Sequence, residues 1–280
     1  MKFIACGDSW TWGAELFPPG RENPLLANHN ELYATPEYIE YRLNNRYVKK
    51  LSDKLGFTEI VDLSMQSISN DTIHRYLVEY LATEGYLSGR DTSDLFISIG
   101  WTSPERTEFF YKERWGRDNY IEVGPWSLDM DHYTQCTQDV KTFLRLYCEN
   151  FWEPGGFLHR YILTLYNTQM LLKMHNIKYI MHQAFYHHFL PPKMPYAWSD
   201  KLYRQKFDLI TDGDKRLWTL LDEKRFMHLN HPESGTFHHF ICKKAKDPRK
   251  VLEGWHPNSL GHDLWTTEMH DYIISNNLLC

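Results

Sequence analysis

The sequence predicts an α/β protein: a parallel sheet of about five strands, covered on both faces by helices, in a three-layer α/β/α sandwich with long loop insertions. Three observations carry that expectation. Short apolar runs stop abruptly at turn residues, Phe3-Ile4-Ala5-Cys6 before Gly7 and Leu95-Phe96-Ile97-Ser98-Ile99 before Gly100, as fully buried strands do. Helical periodicity separates these runs, and strands alternating with helices imply parallel pairing. The 280 residues, 42% hydrophobic and 24% charged, suffice for a substantial core. No repeat or low-complexity segment divides the chain, so residues 1–280 read as one domain.

In chain order, residues 2–6 form the first strand. Residues 10–45 follow as an irregular insertion, because Pro18-Pro19, Pro24 and Pro36 break periodicity. Residues 47–55 are helical and end at Gly56, a C-terminal cap. Ile60–Leu63 is a second strand, leading to Asn70-Asp71 as the N-cap of a helix over 71–85. Asp94–Gly100 is the clearest strand. A second insertion, 101–157, is aromatic-rich and holds a helix near 135–150. A helix over 158–175 takes Leu158, Tyr161, Ile162, Leu165, Met170, Leu172 and Met174 as its apolar positions. Ile177–Met181 is the fourth strand, 184–225 a third insertion, and Phe226–Leu229 a weak fifth strand. A helix over 258–275 closes the chain, with Pro257 placed to start it.

Composition excludes several classes. A net charge of −5 gives no electrostatic footprint for nucleic acid. The five scattered cysteines lack a CxxC pair and read as reduced thiols. No stretch approaches the roughly 18 apolar residues of a spanning helix, and Phe3–Cys6 is too short for a signal-peptide core. The expected location is the cytoplasm. The 15 histidines match no zinc spacing (His187-His188, His238-His239 and His228-xx-His231 included), so neither a metal nor another cofactor is expected.

What remains is nucleophile chemistry. Gly7-Asp8-Ser9 places a hydroxyl at the carboxyl end of the first strand, where open α/β sheets bind ligands. There, backbone N–H groups at a helix start can face an oxyanion. Serine needs a base, and His256, before the rigid Pro257, is the candidate. Glu253, three residues earlier, can bond the other ring nitrogen and fix the tautomer. Trp101 either lines a pocket or belongs to the core.

Gly7-Asp8-Ser9 at one end and Glu253-Gly254-Trp255-His256-Pro257 at the other resemble the SGNH (GDSL-type) hydrolase superfamily. The resemblance spans the chain in motif order and rests on four short blocks. It implies a flavodoxin-like sandwich and a Ser-His-Glu triad: Ser9 as nucleophile, His256 as base and Glu253 as acid, where the family usually has Asp. In the second block Ser67 stands at the glycine whose N–H helps form the oxyanion hole. A left-handed backbone there is costly for serine. In the third block Thr102 stands at the asparagine that donates to the oxyanion. Ser67 and Thr102 otherwise serve as caps. Asp8 and Trp101 complete the expected substrate-binding set. The implied activity is hydrolysis of a small-molecule, lipid or carbohydrate ester through an acyl-enzyme, or O-acyl transfer by the same site. A non-catalytic protein that keeps the fold to bind a glycan or protein is the alternative.

Overall fold

The computed structural model describes residues 1–20, 35–110, 120–123, 137–151, 153–184, 211–230 and 235–280. Its centre is a parallel four-stranded sheet built from β1 (Lys2–Gly7), β2 (Glu59–Asp62), β3 (Leu95–Trp101) and, late in the chain, β6 (Lys178–Gln183), in the order β2-β1-β3-β6. Alternation along the strands divides two cores, as the two-residue period requires. Ile4, Cys6, Leu95, Ile97, Ile99, Trp101, Tyr179 and Met181 enter one layer. Phe3, Ala5, Phe96 and Ile180 enter the other.

Helix α1 (Ser9–Trp12) follows β1 at once, and α2 (Pro36–Asn45) and α3 (Tyr47–Leu55) come next. The segment 10–45 is therefore not wholly irregular. Pro36 occupies the first helical turn, and the Thr35 hydroxyl accepts from Tyr38 N–H, so a residue read as a breaker is a helix start. Helix α4 (Asn70–Thr83) is capped by Ser69, not by Asn70-Asp71. The second insertion contains an antiparallel hairpin, β4 (Thr107–Phe110) with β5 (Tyr120–Val123). Glu108 fastens it to α4 through a two-pronged ion pair with Arg75 (3.0 and 2.8 Å).

Helix α5 (Gln138–Asn150) and the long α6 (Pro154–Met174) precede β6. Two apolar positions expected of the long helix, Met170 and Met174, are exposed. Helices α7 (Asp212–Thr219) and α8 (Phe237–Ala245) were not legible. The expected fifth strand reduces to isolated parallel bridges, Phe226 with Met181 and Thr236 with Gln183. His228 turns left-handed (φ 57°) and breaks any ladder there. A two-residue hairpin, β7 (Leu252–Glu253) with β8 (His256–Pro257), then leads to α9 (Ser259–Ser275), which Asn258 caps in place of Pro257. His187, His188 and His231 lie outside the described residues. Among the described residues no helix is long and apolar enough to cross a membrane.

The layer between the sheet and α9 holds imidazoles among aromatic rings. His182 lies 5.7 Å from Tyr47 and 5.4 Å from Trp265, centroid to centroid. Burial holds His182 down to about 3 and His238 down to about 4. His262 is held well below its usual range by burial and then by Lys50 and Arg46; its Nδ1 accepts from Tyr47 N–H (3.2 Å). The unfolded chain binds a proton at each ring below about pH 6.5, while the folded chain binds none until far lower. Stability contributed by these rings is therefore complete above pH 6.5 and declines as pH falls toward 4, by up to about 1.4 kcal/mol per pH unit for each ring. Urea unfolding between pH 7.5 and 4.5 should show that slope, and His182→Gln should flatten it; an unchanged slope would exclude His182 as a contributor.

Candidate active site

The carboxyl edge of the sheet gathers three segments: the β1–α1 turn, the β2–α4 turn and the β7–β8 hairpin. At the first, Asp8 accepts from Trp10 N–H (3.0 Å) and caps α1. Ser9 opens that helix, so its own N–H has no intrahelical partner. Thr11 settles onto the sheet between two facing glycines. A Cβ at Gly7 would fall 2.1 Å from Thr11 Oγ1, and one at Gly100 would fall 2.5 Å from the same atom. The far end of α1 is held by Arg42, which donates to Trp12 O (2.7 Å) and lies 3.6 Å over its indole.

Ser9 Oγ lies 2.9 Å from Nε2 of His256, which is 247 residues away in the chain. The opposite nitrogen, Nδ1, lies 2.9 Å from Oε2 of Glu15, not from Glu253. Glu253 instead stands opposite His256 across the hairpin. The Glu15 backbone is left-handed (φ 57°). Trp255 N–H donates to the same Oε2 (2.9 Å). Burial opposes the Glu15 charge, but the His256 ring and the Trp255 N–H outweigh it and hold the carboxyl below its usual range. Sequence reasoning missed this residue.

Leu63 N–H donates to Ala5 O and Met65 N–H to Gly7 O (2.8 and 3.0 Å), which zips the chain after β2 along β1 and delivers Ser67 to the same edge. Ser67 is exposed and left-handed, with φ 61°. That conformation favours glycine, and it is uncommon for other residues outside special sites.

The remaining expected site residues sit elsewhere. Trp101 and Asp8 have no exposed surface, so neither meets an incoming ligand. Trp101 belongs to the core and Asp8 caps α1. Burial raises the Asp8 carboxyl, against the pull of Arg106, Thr102 and the Trp10 N–H. Thr102 is 1% exposed, and its hydroxyl, beside Asp8, makes no well-formed hydrogen bond. The cause is Asn70. Its Oδ1 accepts from Thr102 N–H (2.9 Å), while its Nδ2 donates to the carbonyls of Thr102 (3.1 Å) and Ser103 (3.2 Å). Asn70 thus clamps the exit of β3 and does not cap α4. Nothing in its spacing distinguished the two roles.

Fold and site together define an α/β sandwich with a serine–histidine pair at the carboxyl edge of a parallel sheet. The chain belongs to a family of unknown function, DUF6071, whose model matches residues 26–191. That span contains Ser67, Asn70 and Thr102 but neither Ser9 nor His256. No curated relative matches the sequence. Among solved structures, the chain is similar to the lipase Lip_vut3 from a goat rumen metagenome (14% identity, 97% of each chain, TM-score 0.45). It is similar to the psychrotrophic esterase EstA from Pseudoalteromonas sp. (13% identity, 98% of this chain and 97% of that one, TM-score 0.44). It is also similar to Axe2, an acetylxylan esterase from Geobacillus stearothermophilus (14% identity, 97% of this chain and 93% of that one, TM-score 0.44).

Two substitutions test the geometry by stability alone. Ser67→Gly should leave the protein as stable or up to about 1 kcal/mol more stable, whereas Ser67→Val should destabilise it by at least that much. Asn70→Ala strands a buried Thr102 N–H and should cost about 1–3 kcal/mol. Denaturant titration measures both; equal effects of glycine and valine at 67 would contradict the left-handed turn.

Proposed function

We propose that this protein is a serine hydrolase of carboxylic esters, a divergent member of the SGNH (GDSL-type) superfamily with Ser67 and Thr102 in place of the usual glycine and asparagine. The observation that carries the reading is the 2.9 Å contact between Ser9 Oγ and His256 Nε2, at the sheet edge where such folds bind ligands. A hydroxyl in that position is a nucleophile as soon as the imidazole removes its proton.

The steps follow from that pair. As Ser9 Oγ bonds to the carbonyl carbon, its proton passes to Nε2 and the carbonyl π electrons move onto oxygen. The N–H groups of Ser9 and Ser67, neither of which donates to a backbone carbonyl among the described residues, receive that oxyanion. Collapse of the tetrahedral centre breaks the ester C–O bond, and Nε2–H protonates the departing alkoxide. Water, activated at Nε2 in the same way, then cleaves the acyl-Ser9 ester; an acceptor hydroxyl in its place makes the reaction a transfer. The substrate is a small-molecule, lipid or carbohydrate ester. With the Thr102 hydroxyl buried beside Asp8, the hole has two donors, and loss of a donor slows turnover about 100- to 1000-fold.

That missing donor also favours a second reading, a glycan- or protein-binding module that keeps the fold. A fluorophosphonate probe separates the two. The hydrolase reading expects labelling of the wild type that Ser9→Ala and His256→Ala both abolish, together with slow p-nitrophenyl acetate turnover. Absence of both labelling and turnover in folded protein would select the binding reading.

A further inference from the structure

The geometry points to Glu15 as the positioning residue that orients His256 and stabilises its protonated ring, an inference that rests on the hydrolase reading above. The spacing of Glu253 and His256 assigns that role to a residue of the same loop. Here it passes to the segment after the nucleophile helix, so that Ser9 and Glu15 share one short element and the histidine enters from the other end of the chain.

Four features build this contact. Oε2 of Glu15 lies on Nδ1, the nitrogen not facing Ser9, which is where a carboxylate selects the tautomer with Nε2 free to accept a proton. The same oxygen accepts from Trp255 N–H, so the hairpin itself holds the carboxylate. A Cβ at Gly254 would fall 2.5 Å from that oxygen; only a glycine leaves room for the carboxylate, and its φ of 57° suits glycine as well. Glu15 keeps a left-handed backbone (φ 57°), and strain of this kind is held in place at functional sites by surrounding contacts. Those contacts are present: the N–H groups of Gly13 and Ala14 both donate to Ser9 O (3.0 and 2.9 Å), and Arg42 fixes the intervening Trp12.

The side chains of His256 and Glu15 are 18% and 21% exposed. The contact is therefore shielded enough for a carboxylate to matter to the ring, yet wet enough for the carboxylate to stay charged. Asp8, the other acid beside Ser9, is engaged in capping α1. A contact that merely stapled the hairpin to α1 would affect stability but not the chemistry of the ring.

The test uses the full chain and the isosteric variants Glu15→Gln and Glu253→Gln, with Glu15→Asp as the conservative control. Thermal unfolding of each confirms that it folds. Glu15→Gln should slow fluorophosphonate labelling and lower kcat for p-nitrophenyl acetate on the order of 10³- to 10⁴-fold, with KM little changed. The acidic limb of its pH–rate profile should move to lower pH, Glu15→Asp should recover part of the rate, and Glu253→Gln should stay near wild type. If Ser9→Ala abolishes labelling while Glu15→Gln labels like wild type, the role of Glu15 is overturned and the hydrolase reading stands. If wild type does not label at all, the hydrolase reading fails. The downfield Nδ1–H proton resonance of His256 then decides the contact separately: its loss in Glu15→Gln but not in Glu253→Gln supports the assignment, and its persistence in Glu15→Gln overturns it.

Discussion

Everything at the candidate site depends on how closely α1 approaches the sheet. Gly7 and Gly100 face each other in register at the carboxyl ends of the two central strands. Without side chains there, Thr11 fits between them, close enough that any Cβ at either position would overlap its hydroxyl. That wedge fixes the first turn of α1, hence the place of Ser9. Tyr47 donates to Thr11 Oγ1 (3.2 Å) from α3, and His182, paired with Gly100 on the next strand, closes the same space. The buried imidazole layer and the turn at Gly7-Asp8-Ser9 are thus parts of one packing arrangement.

His256 arrives by an independent route. Asn258 N–H donates to Val251 O (2.9 Å), and Asn258 also caps α9, so the hairpin carrying His256 is tied to a long helix rather than left as a free loop. Gly261 sits where a Cβ would fall 2.6 Å from Val251 O, which sets the helix hard against the hairpin. Trp10 packs near the His256 ring (centroids 6.3 Å apart). Ser9 and His256 therefore meet as two pieces, each tied to a helix. Their contact leaves the two side chains little freedom.

Residues that work through local pattern were legible. The two central strands announced themselves as apolar runs ending in glycine, the 47–55 helix by its period and Gly56, and Ser9 and His256 by their places at strand and helix boundaries. What stayed hidden depends on contacts remote in sequence. Glu15 and His256 are 241 residues apart, and no spacing rule links them, whereas the i and i+3 placement of Glu253 and His256 offered a nearer candidate. Pro36 misled because the same fixed φ that stops a helix also starts one. Trp101, Asp8 and Thr102 were placed by motif position, which says where a residue stands on the chain but not which way its side chain turns. Burial made that choice, sending Trp101 into the core and Asp8 under α1.

The turn after β2 and the exit of β3 are joined through Asn70. Thr102 is buried at that exit, so water does not satisfy its backbone groups. Instead an amide from α4 reaches in and takes both backbone groups of Thr102. The interaction that holds the β3 exit in place thus comes from the helix that Ser69 caps, directly after the left-handed Ser67. Ser67, Ser69 and Asn70 lie within four residues, so the backbone of one turn places the amide. Glu15 and Ser67 are both left-handed at this edge, and it is the contacts around them that hold such backbones in place.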